Sequence, residues 1–254
     1  MSMIEIEKAL KQLRLSGVRA TLETRLLEAQ AADSSFLETF SAILQDELDR
    51  RRSRLLERRY QLSGLDERAS LAEFDWSYNP KLPRRTCFEL HALKFIAEGD
   101  NAILIGPPGT GKSHVAKAIA YSAVRSGLRV FYTEADELLG TLVQASAPEK
   151  RKLTKLALDA DLLVLDDLFM ARRIAQETAD ELQSMVHKRY KLRRSTLITS
   201  NRIITDWDKY LGDSALASTF LDRLMHRSVL AEFKGRSYRL KEAASRLART
   251  DDSE

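Results

Sequence analysis

Residues 106–113 read GPPGTGKS and combine residue types that can bind phosphate groups. They match the pattern G-x-x-x-x-G-K-[ST], in which backbone N–H groups surround the phosphates and the lysine reaches the β- and γ-phosphates. The serine after the lysine can bind Mg²⁺ through its hydroxyl. We therefore predict that the chain binds ATP with Mg²⁺ and that the nucleotide contacts Gly106, Pro107, Pro108, Gly109, Thr110, Gly111, Lys112, Ser113 and His114.

Two adjacent carboxylates, Asp166 and Asp167, follow the apolar run 162–165 about fifty residues after this loop. An unbroken apolar run of this length is typical of a parallel strand that is buried on both faces. We predict that Asp166 binds Mg²⁺ together with Ser113. Asp167 should point to the other face of the strand end, where it could polarise the water that attacks the nucleotide.

A third candidate is Asn201, the last residue of the run 195–201. Ligands of open parallel sheets bind beyond the carboxyl ends of the strands, so Asn201 is predicted to orient water near the γ-phosphate. An asparagine that simply forms a turn is the alternative interpretation.

The elements that must position these residues alternate between strands and helices, which is the order of an α/β protein with a parallel sheet flanked by helices. Apolar runs predict strands at 102–105, 130–132, 162–165 and 195–201, and 230–233 could close the sheet. Helical spacing predicts helices at 86–98, 114–120, 135–143, 149–158, 177–191 and 215–227. Residues after 239 are expected to form a charged tail rather than a further domain.

Residues 1–62 have helical periodicity that is interrupted at 16–17 and 32–35, which predicts a small all-helical domain. Asp33 or Ser34 is a candidate N-cap before Glu38. Periodicity is lost in 63–88, a predicted linker that docks on the nucleotide-binding domain at 89–254. Within this linker, Phe74 and Trp76 could contact the base, or could simply pack.

Composition narrows the class of protein further. The 254 residues are 44% hydrophobic and 31% charged, enough for one α/β core and a small extra module. No apolar run is long enough to span a membrane and the first residues do not resemble a signal peptide, so we expect a cytoplasmic protein without a membrane partner. The single cysteine, Cys87, excludes an internal disulfide.

Two basic stretches suggest a polyanionic partner, in keeping with the net charge of +4. Both are predicted to contact the DNA backbone, although each could also be a solvated helix face; the density of arginines in the first stretch favours the contact. The residues concerned are Arg50, Arg51, Arg52, Arg54, Arg58 and Arg59 in the first stretch, and Lys150, Arg151, Lys152 and Lys155 in the second.

The order and spacing of GPPGTGKS, LLVLDD, TLITSN and the LDRL sequence at 221–224 resemble the AAA+ ATPases. Together with the helical N-terminal residues, FDW at 74–76, DRLMHRS and KGRSYRL, they resemble the DnaC-like branch and, within it, the IstB type of ATPase that assists insertion-sequence transposases. The resemblance implies an AAA+ sheet and makes Asn201 the first sensor. It also implies that Arg223 is an arginine finger that reaches the nucleotide of a neighbouring subunit, with Arg227 as the second choice and an ion pair of Arg223 with Asp222 or Asp213 as the alternative.

Two features depart from the family pattern. Most AAA+ proteins have glutamate at the position of Asp167, and the shorter side chain leads us to expect slow turnover. The expected C-terminal lid is missing, which leaves open whether Arg236 or Arg239 serves as a second sensor.

We therefore expect an ATP-dependent, DNA-binding AAA+ ATPase that forms a homo-oligomer on duplex DNA, largely regardless of sequence, and assists a cognate transposase in DNA transposition and recombination. One alternative is a DnaC-like helicase loader that acts on single strands in replication. Another is a monomeric P-loop kinase for a small molecule, which would need a substrate lid. ATP-driven assembly on duplex DNA separates the first hypothesis from both alternatives.

Overall fold

A computed structural model describes residues 2–170, 175–211 and 214–251 of the chain. Its contacts divide it into two compact units, residues 1–58 and 59–254. In these described ranges no helix is both long enough and apolar enough to cross a membrane.

Three helices build the first unit: α1 (Met3–Gln12), α2 (Ser16–Ala31) and α3 (Phe36–Leu62), the last of which continues into the second unit. The predicted cap of α3 at Asp33 or Ser34 is wrong. Ser35 is the cap instead, because its hydroxyl accepts the Glu38 N–H at 3.3 Å while the Glu38 carboxylate accepts the Ser35 N–H at 2.9 Å. Asp33 has a left-handed backbone, with φ of 50°, and ends the preceding turn.

Buried Glu47 of α3 holds the start of α2. Its carboxylate accepts the N–H groups of Gly17 at 2.6 Å and Val18 at 3.3 Å. These N–H groups belong to the first turn of a helix and have no partner within it, so a carboxylate there stabilises the helix start. A Cβ atom on Gly17 would lie 2.6 Å from the Glu47 Cα, and only glycine therefore permits this approach.

The described residues of the second unit form five parallel strands in the order β2-β3-β4-β1-β5. They are β1 (Asn101–Ile105), β2 (Val130–Glu134), β3 (Leu162–Asp166), β4 (Ser195–Ser200) and β5 (Ser228–Glu232). Every residue of β1, β3 and β4 is buried, as expected for central strands covered by helices on both faces. The predicted α/β fold with a parallel sheet is confirmed.

Helices flank this sheet. They are α4 (Arg84–His91), α5 (Lys94–Glu98), α6 (Lys112–Arg125), α7 (Ala135–Gln144), α8 (Ala147–Asp159), α9 (Gln176–Leu192), α10 (Trp207–Leu211), α11 (Ser214–Met225) and α12 (Tyr238–Asp251). The single helix predicted at 86–98 is two helices, because Leu93 between them has a left-handed backbone with φ of 66°. The predicted charged tail after residue 239 contains most of α12.

Strand register brings the candidate residues to one edge of the sheet. Ile105 of β1 pairs with Ser200 of β4, and Leu165 of β3 pairs with Ile198 of the same strand. The loop that starts at Gly106, the carboxylates at the end of β3 and Asn201 therefore all emerge on the same side. A hydrophobic core that includes Phe169, Trp207 and Phe220 also contains residues of β1, β3 and β4.

Candidate nucleotide-binding site

The glycine-rich loop is held between two distant segments of the second unit. Gly111 caps α6 with φ of 99°, and a Cβ there would lie 2.4 Å from the Phe74 ring. Gly109 has φ of 73°, and a Cβ there would lie 2.1 Å from the Ser237 hydroxyl. Both positions thus require glycine, because any side chain would meet strain and a clash. The loop leads directly into a helix of 14 residues, whose free N–H groups and dipole favour an anion.

Lys112 is the charged centre of the loop. Its side chain is buried, and its ammonium donates to the Pro107 carbonyl at 2.9 Å and to the Asn201 Oδ1 at 2.6 Å. Burial lowers the pKa of Lys112 from 10.5 to about 8, against the opposing effect of Asp167 and Asp166. The contact joins the loop to the end of β4, so two of the predicted site residues meet directly.

Asp166 ends β3 and is also buried. The Tyr132 hydroxyl donates to its Oδ2 at 2.5 Å, and the Thr199 hydroxyl donates to its Oδ1. The Ser113 side chain lies on the first turn of α6. Within the described ranges no cluster of three or more His, Cys, Asp or Glu side chains could hold a metal ion alone. One carboxylate with one hydroxyl nevertheless fits Mg²⁺, which binds proteins through one or two oxygen ligands and takes the rest from phosphate and water.

Asp167 adopts a left-handed backbone with φ of 52°, which turns the chain sharply at the end of β3. Its N–H donates to the Thr199 hydroxyl at 2.8 Å. Burial and the neighbouring Asp166 raise the pKa of Asp167, whereas Lys112 and Arg239 act in the opposite direction. The carboxylate is therefore a stronger base than an exposed aspartate, as a residue that polarises water requires.

A cavity of about 500 Å³ opens in front of Lys112, Asp167 and Asn201, whereas Asp166 is not part of its wall. Its walls come from the glycine-rich loop, the residues that follow β3 and β4, the linker and the start of α12. They include Phe74, Asp75, Tyr78, Asn79, Leu82, Pro108, Gly109, Thr110, Gly111, Lys112, Ser113, His114, Lys117, Asp167, Asn201, Tyr238 and Arg239. A volume of this size is ordinary for a small-molecule site.

Hydrogen bonds connect the start of α12 to the glycine-rich loop, and the residues just before α12 to the linker. The Tyr238 N–H donates to the Gly109 carbonyl at 2.8 Å, and the Asn79 amide donates to the Arg236 carbonyl at 2.9 Å. Arg239 lines the cavity, and its positive charge opposes the rise that burial causes in the pKa of Asp167. Arg236, the other candidate for a second sensor, contacts the Asn79 side chain through its backbone carbonyl and N–H.

The linker aromatics both pack and line the cavity. The Phe74 ring centroid lies 4.4 Å from that of Trp76 and 5.6 Å from that of His114. Phe74 also belongs to the cavity wall, as does Tyr78. The two interpretations of this segment are therefore compatible. Sequence reasoning missed Tyr78 and Tyr238, which line the cavity. It also missed Tyr132 and Thr199, which donate hydrogen bonds to Asp166.

Arg223 lies on α11, and Arg227 lies two residues after the end of this helix. Neither is among the described residues that line the cavity. Arg223 is half-buried and lowers the pKa of His187 on α9, although burial of the His187 ring is the larger cause. In the described part of the chain Arg223 forms no ion pair with Asp222, and Asp213 lies outside the described residues. Arg227 is exposed.

Several of the predicted DNA-binding residues have carboxylate partners. Arg51 donates to Glu47 at 2.7 Å, Arg52 pairs with Asp49 at 3.4 Å, and Lys150 pairs with Glu181 of α9. The other candidates are side chains on α3 and α8: Arg50, Arg54, Arg58, Arg59, Arg151, Lys152 and Lys155. Arg151 and Lys155 line a groove between α8 and α9 together with Lys188, which sequence reasoning did not select.

Known proteins similar to this chain match most of its length. The family model described as IstB-like ATP binding protein matches residues 8–246. The ATP-binding protein of insertion sequence IS21 from Pseudomonas aeruginosa is 34% identical over 242 residues, which are 94% of this chain and 90% of that protein. An insertion-sequence ATP-binding protein of Mycobacterium tuberculosis is 33% identical over 239 residues, which are 92% of this chain and 93% of that protein. The solved structure of replication initiator DnaA bound to AMPPCP and single-stranded DNA has a TM-score of 0.56 at 22% identity over 74% of this chain and 57% of that one, a likeness of fold alone.

Proposed function

Because this chain belongs to the family of IstB-like ATP binding proteins, as its motifs predict, we propose that it is an ATPase that assembles on duplex DNA and assists an insertion-sequence transposase. The observation that carries the proposal is the convergence of Lys112, Asp166, Asp167 and Asn201 at one edge of the sheet. Three of them, Lys112, Asp167 and Asn201, line a cavity of about 500 Å³. The relatives named above are ATP-binding proteins of insertion sequences, which supports the transposition context.

The chemistry proposed for the site is hydrolysis of the γ-phosphate. Lys112 and the N–H groups of the loop bind the phosphates, and Asn201 orients the attacking water. Asp167 polarises that water, a role supported by its raised pKa. Ser113 and Asp166 would hold Mg²⁺, which neutralises charge on the phosphates when bound. We expect slow turnover because the aspartate side chain is one methylene shorter than the usual glutamate.

Hydrolysis is proposed to need a second subunit. Charge develops on the transferred phosphoryl group in the transition state, and an arginine from a neighbour can stabilise it. Arg223 is the first candidate for this arginine. Arg227 is the second candidate, because its side chain is exposed and can contact a neighbouring subunit. Both arginines are therefore tested.

The proposed DNA contacts are electrostatic. Arg50, Arg54 and Arg58 on α3, and Arg151 and Lys155 beside Lys188, present positive charge that can follow a phosphate backbone. Contacts of this kind carry little sequence information, so binding should depend on salt more than on sequence.

The decisive experiment measures molar mass with and without ATP and a duplex of several tens of base pairs. The variants are Lys112→Ala, Arg223→Ala and Arg227→Ala, with Arg85→Ala as a matched control, since Arg85 is exposed and pairs with Glu89. We expect a large assembly that requires both ligands, is lost in Lys112→Ala and is weakened in either Arg223→Ala or Arg227→Ala. A monomer under every condition would refute assembly and the arginine finger together, and would favour the monomeric kinase.

Titration with single-stranded DNA of the same length separates the proposal from a DnaC-like helicase loader. The proposal expects tighter binding to the duplex. Preference for the single strand would favour the loader.

A further inference from the structure

Two hydroxyl groups from the neighbouring strands hold the Asp166 carboxylate. The strand order places β3 between β2 and β4, and each neighbour contributes one of these groups. Tyr132 of β2 donates to Oδ2 at 2.5 Å, and Thr199 of β4 donates to Oδ1. A carboxylate oxygen can accept about two hydrogen bonds. Each oxygen therefore keeps capacity for a further donor or for a cation.

We propose that Tyr132 and Thr199 are positioning residues that fix the orientation of the Asp166 carboxylate toward Mg²⁺. This inference rests on the proposed nucleotide-binding function and extends it to residues outside the recognised motifs. The two side chains would act through Asp166 without touching nucleotide or metal, as outer-shell partners commonly do for metal-binding carboxylates.

The neutrality of both donors supports this role. A lysine or arginine in their place would orient the carboxylate but would also neutralise the charge that attracts a cation. The ammonium of Lys117 lies 5.7 Å from the centre of the Tyr132 ring, yet it pairs with Asp66 at 2.8 Å and Glu67 at 3.4 Å. The hydrogen bonds to Asp166 from the described residues therefore leave its negative charge available.

Both positioning side chains are themselves fixed in place. Tyr132 is buried, and its backbone N–H donates to the Ser63 carbonyl at 2.7 Å on the outer edge of the sheet. Thr199 is also buried, and its oxygen accepts the Asp167 N–H at 2.8 Å while its proton is donated to Asp166. One threonine hydroxyl thus sets the orientation of the metal-binding carboxylate and the turn that presents its neighbour.

The test measures how strongly Mg²⁺ promotes binding of a fluorescent ATP analogue to the full-length protein. Tyr132→Phe and Thr199→Val each remove one hydroxyl and keep the shape of the side chain, whereas Thr199→Ser keeps the hydroxyl. Tyr121→Phe is the matched control, because Tyr121 lies on α6 and packs edge-on against Tyr60, 5.8 Å between ring centroids. Affinity for the analogue in EDTA is measured for every variant.

We expect the Mg²⁺ concentration for half-maximal effect to rise about 10- to 100-fold in Tyr132→Phe and Thr199→Val, the range typical for loss of an outer-shell partner. Affinity in EDTA should stay unchanged, and Thr199→Ser and Tyr121→Phe should match the wild type. An unchanged Mg²⁺ requirement in both hydroxyl-deleted variants would overturn the proposal. Equal loss of affinity with and without Mg²⁺ would also overturn it, because the hydroxyls would then support folding of the loop. A wild type that binds no nucleotide in either condition would instead refute the proposed function, and this inference with it.

Discussion

Raising the pH from 7 to 9 tests how the burial of Lys112 affects nucleotide binding. Burial lowers the pKa of this lysine to about 8, so roughly nine-tenths of the protein carries the charged form at pH 7 and roughly one-tenth at pH 9. Phosphate oxygens raise the pKa again when they bind beside the ammonium. Binding therefore takes up a proton above pH 8, and affinity falls as the pH rises.

The expected loss of affinity between pH 7 and pH 9 is about tenfold, or ~1.4 kcal/mol. The assay is titration with a fluorescent ATP analogue at constant ionic strength. Lys112→Met removes the ammonium and should give weak binding with a flat pH profile. Lys117→Met, five residues further along α6, should keep the wild-type pH dependence. The Asp66 carboxylate helps raise the pKa of Lys117, so this lysine does not lose its proton between pH 7 and 9. Equal wild-type affinities at pH 7 and 9, or the same decline in Lys112→Met, would refute the reasoning.

Three further predictions concern catalysis, stability and DNA binding. Asp167→Asn should retain nucleotide but lose most hydrolysis, and Asp167→Glu should hydrolyse faster than the wild type; phosphate release measures both, and equal rates for all three proteins would exclude a role for this carboxylate. Glu47→Gln should lower the free energy of unfolding by about 1–3 kcal/mol, because a charged acceptor at the start of α2 becomes neutral. Urea denaturation measures this loss, with exposed Asp49→Asn as a control that stays within about 0.5 kcal/mol. Replacing Arg151 and Lys155 together by alanine should weaken duplex binding and reduce the slope of log affinity against log salt by about 2; an unchanged slope would remove α8 from the DNA surface.

Local motifs made much of the site predictable. The spacing of glycines and lysine in residues 106–113 is specific for a phosphate-binding loop. Ligands of parallel sheets bind beyond the carboxyl ends of the strands, which predicts Asp166 and Asn201 at the same edge as this loop. The Lys112–Asn201 contact at 2.6 Å follows from that rule although 89 positions separate the two residues.

Contacts that depend on strand register were not predictable. Tyr132 belongs to the run VFYTE, where it reads as one more strand residue, and only the pairing of β2 with β3 brings its hydroxyl to Asp166. Thr199 is equally inconspicuous within β4. Leu93 shows a different limit, since nothing in its local sequence indicates the left-handed backbone that separates α4 from α5.

The sequence showed which helices are rich in basic residues but not which of these residues pair with a carboxylate. Arg51 and Lys150 belong to basic stretches, yet each has a carboxylate partner on its own or a neighbouring helix. Helical spacing indicates the first kind of pair, because residues four apart share a helix face. The second kind needs the packing of α8 against α9, which the sequence does not specify.

The contacts of the glycine-rich loop determine which fragments of this chain could remain functional. A fragment cut at the start of the predicted domain, residue 89, would lack Phe74, whose ring fills the space beside Gly111. A fragment that stopped after β5 would lack Tyr238, whose N–H donates to Gly109. Either truncation leaves the phosphate-binding sequence intact while it removes a wall of the cavity. We therefore expect the smallest fragment that binds nucleotide to be longer than the motifs. We also expect removal of either flank to weaken binding although every motif residue remains.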